Sequence, residues 1–228
     1  MIKPEAVLFD LDGVLCDTSE YHFLAWKRLA DELGLRFIRM DNERLKGVSR
    51  LRSFEIILEI NGRQAAYSEN EKNRLANRKN AYYKDLIEQM APANILPGVQ
   101  QFLYACRHAR LNLAVASASK NAQRVLERIG LSDAFDYVAD AAQIKCAKPD
   151  PEVFLDCAHA LRVRPERCIG IEDAQAGIQA IHAAGMFSVG IGVQVTSLAP
   201  DLSLPSTREL KLATVLDTFS VKKGEVTC

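Results

Sequence analysis

Short hydrophobic runs alternate with longer helical patterns along most of the chain. The runs, which predict strands, lie at Ala6–Phe9, Leu111–Ala116, Tyr137–Ala139, Cys168–Ile171 and Ser188–Ile191. Helical patterns lie at Pro97–His108, Asn121–Ile129, Pro151–Leu161 and Ala174–Ala184. Because the strand patterns are continuously apolar, we expect strands that are buried on both faces. Together with the intervening helices, they predict a doubly wound α/β domain with a parallel sheet.

The segment after the first strand interrupts this alternation, because it has helical patterns and no convincing strand. Asp17 followed by Glu20 is typical of a capping box, and Gly34 is a suitable C-cap for the helix that starts there. Further helices are expected at Glu43–Ile60, at Glu69–Met90 and, in the tail, at Arg208–Phe219. The segment is therefore predicted to be an all-α insertion.

The length of 228 residues allows one large domain or a large and a small one. We predict a Rossmann-like core formed by residues 1–16 and 93–228, with an inserted helical cap domain at 17–92. The 29 basic and 29 acidic side chains balance, which argues against nucleic acid or an anionic membrane as a partner. No apolar run approaches the roughly 20 residues of a membrane span, and the N-terminus contains Glu5, unlike a signal peptide. A cytoplasmic protein is expected.

The cysteines give no sign of a metal site or a disulfide framework. The chain has six, with no CxxC pair and no Cys/His cluster at zinc spacing. Several lie among apolar neighbours, where free cysteine behaves as a small hydrophobe. We therefore expect reduced thiols, as in a cytoplasm.

Polar residues follow the predicted strands or precede the next helix, at the carboxyl edge of a parallel sheet, where ligands bind. They are Asp10, Asp12, Ser117, Ser119, Lys120, Asn121, Lys148, Glu172 and Asp173. Four carboxylates at one rim require a cation, and hard oxygen donors suit Mg²⁺. Lys148 and Ser117 would then serve a phosphate beside the metal.

Each of these residues has an ordinary structural alternative. Asp12-Gly13 is a common turn pair, and Asp173 is suited to cap the next helix. Asp150-Pro151-Glu152 is typical of a helix start with proline at the first helical position. The functional interpretation depends on their occurrence together at one edge.

Four strings resemble the motifs of the haloacid dehalogenase superfamily of phosphotransferases, in the order expected for it: FDLDGVLCDT, SASKN, KPDPEVF and IEDAQAGI. Within the insertion, LKGVSR and RKN resemble the β-phosphoglucomutase group of that superfamily. That group interconverts β-glucose 1-phosphate and glucose 6-phosphate. The resemblance implies an Mg²⁺-dependent phosphomutase that works through an aspartyl-phosphate and a glucose 1,6-bisphosphate intermediate.

The resemblance also implies roles for the acidic residues. Asp10 would be the nucleophile and a ligand of Mg²⁺. Asp12 would give its backbone carbonyl to the metal and its side chain to acid–base chemistry. Glu172 and Asp173 would complete the metal site, and Thr18 would be a hinge between the domains.

Phosphate and sugar contacts follow from the same resemblance. Ser117 and Lys148 would hold the transferring phosphoryl group, and Arg50 would hold the distal phosphate with Ser119 and Asn121. Arginine suits that task because its planar guanidinium grips phosphate through two hydrogen bonds. The remaining implied contacts are His22, Trp26, Lys46, Gly47, Val48, Ser49, Ser53, Lys79, Ala118 and Lys120.

Two alternatives remain open at this stage. A sugar-phosphate phosphatase of the same superfamily would make the same aspartyl-phosphate and pass the group to water. A non-catalytic descendant would bind a partner protein, although the complete acidic and basic set argues against it. Asp12 and the LKGVSR string favour the mutase, which must grip the second phosphate and exclude water. We expect a monomer, because a cap has to swing; the preferred sugar stays open.

Overall fold

The structure is a computed structural model that describes residues 3–45, 48–192 and 199–225. The chain divides into two compact units, one formed by Met1–Asp17 with Ala91–Cys228 and the other by Thr18–Met90. In the described ranges, no helix combines the length and the apolar character that a membrane crossing requires.

The first unit is built on a six-stranded sheet with the order β3-β2-β1-β4-β5-β6, and every neighbouring pair is parallel. The strands are β1 Ala6–Phe9, β2 Asn112–Val115, β3 Tyr137–Val138, β4 Cys168–Glu172, β5 Phe187–Ile191 and β6 Leu202–Leu204. The predicted parallel sheet is therefore confirmed. The edge strand β6 was not predicted.

The helices in chain order are α1 Ser19–Glu32, α2 Arg39–Asn42, α3 Arg50–Ile60, α4 Glu69–Ile87, α5 Val99–His108, α6 Ala122–Ile129, α7 Glu152–Ala160, α8 Gln175–Ala183 and α9 Leu212–Glu225. Short 3-10 turns occur at Glu43–Leu45, Pro92–Asn94, Ser132–Ala134, Pro165–Arg167 and Thr207–Glu209. Within the described part of Thr18–Met90, every regular element is helical, as predicted for the insertion.

Strand β1 lies at the centre of the sheet and is covered on both faces. Its four residues are fully buried, and successive side chains of a strand point to opposite faces. Phe9 packs edge-on against Phe102 of α5, with 6.0 Å between ring centroids. Leu8 belongs to a core cluster with Phe154 of α7 and Ile181 of α8. Helices therefore cover the two faces, which is the doubly wound arrangement.

The start of α1 differs from the prediction. Thr18, not Asp17, is the residue at the N-cap position of α1. The expected capping partner Glu20 instead accepts a hydrogen bond from Arg39 Nη2 at 2.8 Å. A capping box needs its acidic residue three positions after the cap, and Glu20 is only two after Thr18.

The predicted helix Glu43–Ile60 is also wrong as one element. Ser49 has extended backbone and accepts the Arg52 N–H at 3.3 Å through its hydroxyl, so a new helix, α3, begins at Arg50. The true capping box lies at α4, where Glu71 Oε2 accepts the Ser68 N–H at 2.9 Å and Ser68 Oγ accepts the Glu71 N–H.

Two further helix starts are shifted. Pro151 is the N-cap of α7 and not its first helical residue; Asp150 Oδ1 accepts the Glu152 N–H at 2.9 Å. In the tail, the predicted helix Arg208–Phe219 is divided into the 3-10 turn Thr207–Glu209 and α9.

The second unit has its own hydrophobic core. Trp26 of α1 stacks on Phe54 of α3 with an interplanar angle of 3° and 6.1 Å between centroids. Leu75 and Ala76 of α4 belong to the same buried cluster. Three helices thus share one core, which is what the amphipathic patterns of the insertion require.

Candidate active site

Asp10 is the first residue after β1, at the carboxyl edge of the sheet. Its N–H donates to the Ile171 carbonyl of β4 at 2.9 Å, and the residue is 8% exposed. The chain then turns at Gly13, which has φ +85° and donates its N–H to the Cys16 carbonyl at 2.8 Å. Asp10 thus lies beside β1's neighbour β4, where the strand order reverses and where ligands bind in this class of sheet.

Lys148 joins two of the predicted site residues. Its Nζ atom donates to Asp10 Oδ1 at 2.5 Å and to Glu172 Oε2 at 2.8 Å. The side chain is only 2% exposed, and its Nζ lies 4.9 Å from the centroid of the Phe154 ring. Lys148 is therefore a buried, paired cation and not a solvated one.

The loop that carries Lys148 is held from the next helix. Glu152, the first residue of α7, accepts the N–H groups of Lys145 at 3.0 Å and Cys146 at 2.6 Å. These hydrogen bonds lower the pKa of Glu152 and keep its carboxylate ionised. The half-buried Glu152 thus anchors the turn that precedes Lys148.

The charges of Asp10, Lys148, Glu172 and Asp173 do not balance. Burial lowers the pKa of Lys148, but the charges of Asp10 and Glu172 outweigh it and raise that pKa overall. Burial, followed by the charge of Asp10, raises the pKa of Glu172, against the opposing effect of Lys148. Oxygens of Asp10, Glu172 and Asp173 lie within 4.8 Å of one another. When all three carboxylates are ionised, the single ammonium leaves an excess of negative charge, which a divalent cation would balance.

The acidic pair at the end of β4, Glu172 and Asp173, is shaped by its surroundings. Glu172 Oε1 accepts the N–H groups of Asp173 at 3.2 Å and Ala174 at 3.1 Å. A Cβ atom built on Gly177 of α8 would come within 1.9 Å of Glu172 Oε2. Asp173 precedes Ala174, the residue at the N-cap position of α8.

Ser117 follows β2 at the same edge. The Ala116 N–H donates to the Phe9 carbonyl at 2.7 Å, which sets the residues after β1 and β2 side by side. Ser117 is buried, and its Oγ accepts the Ser119 N–H at 3.1 Å. Ser119 Oγ accepts the Asn121 N–H at 3.3 Å. In this loop Asn121 is buried, whereas Ala118 and Lys120 are exposed.

The first unit thus brings Asp10, Lys148, Glu172 and Asp173 together. Asp12 is half-buried in the turn after β1. Burial is the main cause that raises the pKa of the Cys16 thiol, and the charge of Asp12 is the next.

The five described cysteines, Cys16, Cys106, Cys146, Cys157 and Cys168, are free thiols, as predicted.

The second unit holds a separate cluster between α1 and α4. His22 and Trp26 lie one turn apart on α1, and Lys79 and Tyr83 lie one turn apart on α4. Lys79 Nζ is 2.9 Å from His22 Nδ1, 4.9 Å from the Trp26 ring centroid and 4.8 Å from that of Tyr83. Lys79 is 2% exposed. A lysine ammonium can only donate, so His22 Nδ1 accepts and the ring proton lies on Nε2.

Electrostatics keep His22 neutral. Burial of the ring, then the charges of Lys79 and Arg50, lower its pKa well below the usual range. Arg50 begins α3, and its Nη1 donates to Asn77 Oδ1 at 3.3 Å. Burial lowers the pKa of Arg50 as well. Two cations therefore lie near a neutral imidazole, an arrangement that attracts an anion.

Other predicted positions of this unit have structural roles in the described residues. Ser53 is buried, and its Oγ donates to the Ser49 carbonyl at 3.1 Å, while Ser49 caps α3. Thr18 is buried, and its carbonyl accepts the His22 N–H at 3.0 Å. Val48 is half-buried. The predicted contacts Lys46 and Gly47 lie outside the described residues.

Sequence reasoning missed Tyr83. It is fully buried, and its ring lies 4.2 Å from that of His22. The spacing of four residues from Lys79 could have identified it, because residues four apart share one face of a helix.

Comparisons with known proteins agree with these features. Residues 4–185 match the sequence model of the haloacid dehalogenase-like hydrolases. The β-phosphoglucomutase of Bacillus subtilis is 44% identical over 208 residues, 91% of this chain and 92% of that protein. A phosphorylated-carbohydrate phosphatase of Thermotoga maritima is 32% identical over 80% of this chain and 82% of its own length. The crystal structure of a Clostridium difficile β-phosphoglucomutase superposes with a TM-score of 0.93 at 43% identity, covering 97% of this chain and 99% of that one.

Proposed function

Because the chain belongs to the haloacid dehalogenase-like hydrolase family, we propose that it is a phosphomutase acting on a sugar phosphate through an aspartyl-phosphate at Asp10. The proposed reaction interconverts β-glucose 1-phosphate and glucose 6-phosphate, with glucose 1,6-bisphosphate as the intermediate. The observation that carries the proposal is the buried contact of Lys148 with both Asp10 and Glu172 at the carboxyl edge of the sheet. A buried carboxylate held by a cation is suited to accept and release a phosphoryl group.

The residues present fit a magnesium ion. Asp10, Glu172 and Asp173 offer carboxylate oxygens, the donors that Mg²⁺ prefers, and their charge exceeds that of Lys148. The backbone carbonyl of Asp12 is proposed as a further ligand. When bound, Mg²⁺ would neutralise charge that develops on the transferring phosphoryl group.

The chain's own residues would then perform the transfer. Asp10 attacks phosphorus of the bisphosphate, and the bond from phosphorus to the sugar oxygen breaks while Asp12 gives that oxygen its proton. In the second half, a hydroxyl of the other monophosphate gives its proton to Asp12 and attacks the aspartyl-phosphate, which restores the Asp10 carboxylate. Lys148 and Ser117 hold the phosphoryl oxygens in both halves.

We assign the distal phosphate to the cationic cluster of the second unit; Ser119 and Asn121 of the first unit are proposed as phosphate-binding residues because of the resemblance of their motif. Arg50 and Lys79 supply the charge, and the neutral His22 supplies an N–H donor from Nε2. Trp26 and the other predicted contacts would shape the sugar site. Thr18 is proposed as the hinge.

The phosphatase alternative is weaker, because the sequence of this chain is 44% identical to the B. subtilis mutase and 32% identical to the T. maritima phosphatase. A monomer in the cytoplasm is the proposed form. The free thiols of the described cysteines are typical of a reducing compartment. Light scattering after gel filtration measures the molecular mass in solution and so tests the monomer.

The decisive experiment is a coupled assay with β-glucose 1-phosphate and a trace of glucose 1,6-bisphosphate, in parallel with a phosphate-release assay. We expect glucose 6-phosphate to form far faster than inorganic phosphate. Asp10→Asn should form no phospho-adduct by intact mass, and Asp12→Asn should slow isomerisation by about 10²-fold or more. Stoichiometric release of phosphate without isomerisation would replace the mutase with a phosphatase in which Asp12 activates water.

A further inference from the structure

His22 and Trp26 of α1 lie against Lys79 and Tyr83 of α4. Of these four residues, Tyr83 is the one to which the proposed function gives no role. Its ring is fully buried and meets the His22 ring at a tilt of 38°. The same ring faces the Lys79 ammonium, which has the Trp26 ring at nearly the same distance. Tyr83 therefore touches both groups that the proposed function assigns to the substrate.

The position of the Lys79 ammonium follows from these contacts. A buried ammonium has lost much of its water, and the negative faces of aromatic rings attract it. The Trp26 ring is itself fixed, because it stacks on Phe54. Since the Trp26 and Tyr83 ring centroids lie 4.9 and 4.8 Å from it, within the range of cation–π contacts, Lys79 Nζ is held at the place where it donates to His22 Nδ1.

We propose that Tyr83 is a positioning residue, whose ring holds the Lys79 ammonium and the His22 imidazole in the arrangement that receives the sugar phosphate. The proposal rests on the proposed function for its substrate. The arrangement itself is a property of α1 and α4 and can be measured without any substrate.

Three variants distinguish the effect of the Tyr83 ring from the effect of changing a neighbouring residue. Tyr83→Leu removes the ring and keeps an apolar side chain, whereas Tyr83→Phe keeps the ring. Tyr82→Leu is the matched control, because it removes a ring from the adjacent position of α4, where the Tyr82 hydroxyl donates to Glu32 at 2.9 Å. That contact lies outside the cluster of Tyr83.

The first readout is the ¹⁵N NMR spectrum of the His22 side chain between about pH 5 and 8, assigned with a His22→Asn sample. The titratable groups that face His22 are Lys79, Arg50 and Tyr83. In the wild type, Tyr83→Phe and Tyr82→Leu, His22 should stay the neutral Nε2–H tautomer. In Tyr83→Leu, water reaches the ring and Lys79 moves, so the pKa of His22 should rise toward the ordinary value of about 6.5. An unchanged His22 spectrum in Tyr83→Leu overturns the proposal.

The second readout is kinetic. Tyr83→Leu should raise KM for β-glucose 1-phosphate by about tenfold, a typical effect of one cation–π contact in a desolvated site. Tyr83→Phe and Tyr82→Leu should stay within about threefold of the wild type. Phosphorylation of Asp10 by acetyl phosphate, followed by intact mass, should be equal in all four proteins. An equal loss in Tyr82→Leu, or an unchanged KM in Tyr83→Leu, contradicts the assignment.

The two readouts test the proposed function and the positioning role of Tyr83 independently. If the wild type turns over no sugar phosphate, the proposed function falls, while the His22 spectrum still decides whether Tyr83 positions Lys79. If near-UV circular dichroism shows that Tyr83→Leu is unfolded, Tyr83→Met takes its place, because methionine fills irregular space. The same criteria then apply to Tyr83→Met.

Discussion

The Asp173 carboxylate lies against the backbone of Gly13, so closely that a Cβ atom at residue 13 would be 2.2 Å from Oδ2. Gly13 also has φ +85°, a conformation that other residues rarely adopt. Gly13→Ala should therefore displace a proposed metal ligand. We expect a loss of Mg²⁺ affinity of about tenfold or more, measured from the Mg²⁺ dependence of turnover.

Gly34→Ala is the control for backbone strain. Gly34 has φ +65°, and a methyl group at this residue would have nothing within 4 Å of it, so Gly34 shares the strain without the clash. Gly34→Ala should lose about 1 kcal/mol of unfolding free energy in urea from backbone strain alone, and Gly13→Ala should lose more because the clash adds to the strain. Equal Mg²⁺ affinity in the two would show that Asp173 does not depend on Gly13.

Removing the amine of Lys148 should destabilise the protein strongly. Lys148→Met leaves the carboxylates of Asp10 and Glu172 buried without their cation. The expected loss is about 3–5 kcal/mol in urea unfolding in metal-free buffer. Lys145→Met, which changes an exposed lysine of the same loop, should have almost no effect. A small effect of Lys148→Met would mean that the carboxylates are neutralised in another way.

Chelation should abolish activity. The described cluster of Asp10, Glu172 and Asp173 carries more negative charge than Lys148 can balance. We expect turnover to stop with EDTA and to return with Mg²⁺. Ca²⁺ should bind and support little turnover, because its larger and looser coordination shell misplaces the reacting oxygens. Full turnover in metal-free buffer would exclude the proposed cofactor.

His22 should make the protein sensitive to acid. Its pKa is lowered in the folded state, so below about pH 6.5 the unfolded chain takes up a proton more readily than the folded one. The stability that His22 contributes is thus present above about pH 6.5 and is lost as the pH falls. His22→Asn should reduce the difference between the unfolding free energies at about pH 7.5 and pH 5.5. His108→Asn, at an exposed site, should leave that difference unchanged.

Two arginines end helices in the left-handed conformation. Arg110 has φ 59° after α5, and Arg162 has φ 56° after α7. Both are exposed, and glycine adopts this conformation without the steric cost of a Cβ atom. Arg162→Gly should raise the unfolding free energy by about 0.5–1 kcal/mol. Gly185→Ala, at the equivalent position after α8, should lower it; the same sign for both would refute the argument.

The sequence predicted the sheet well where strands are continuously apolar, as in β1 and β4. It missed β6, because Ser203 is exposed at its centre and Pro205 follows it. That strand depends on a distant contact, since Asp201 Oδ2 accepts the Ser188 N–H of β5 at 2.9 Å. No local pattern reports such a contact.

The candidate site also has features that the sequence could predict and features that it could not. Asp10, Lys148, Glu172 and Asp173 could be expected at one edge, because each follows a strand or precedes a helix. The closeness of Glu172 to Gly177 could not, since it depends on how β4 and α8 pack. Likewise, the sequence pattern did not indicate that Glu20, in the first turn of α1, accepts a hydrogen bond from Arg39 of α2.

The order of the strands also bears on synthesis at the ribosome. Strand β1 is synthesised long before its partners, which are Asn112–Val115 and Cys168–Glu172. At about 5–20 residues per second, roughly 8–30 s pass before β4 emerges. During that time the four apolar residues of β1 have no sheet to join, whereas the helices between residues 18 and 90 can bury their core from contiguous chain. A nascent chain therefore presents one aggregation-prone segment early, which is where a chaperone would be expected to act.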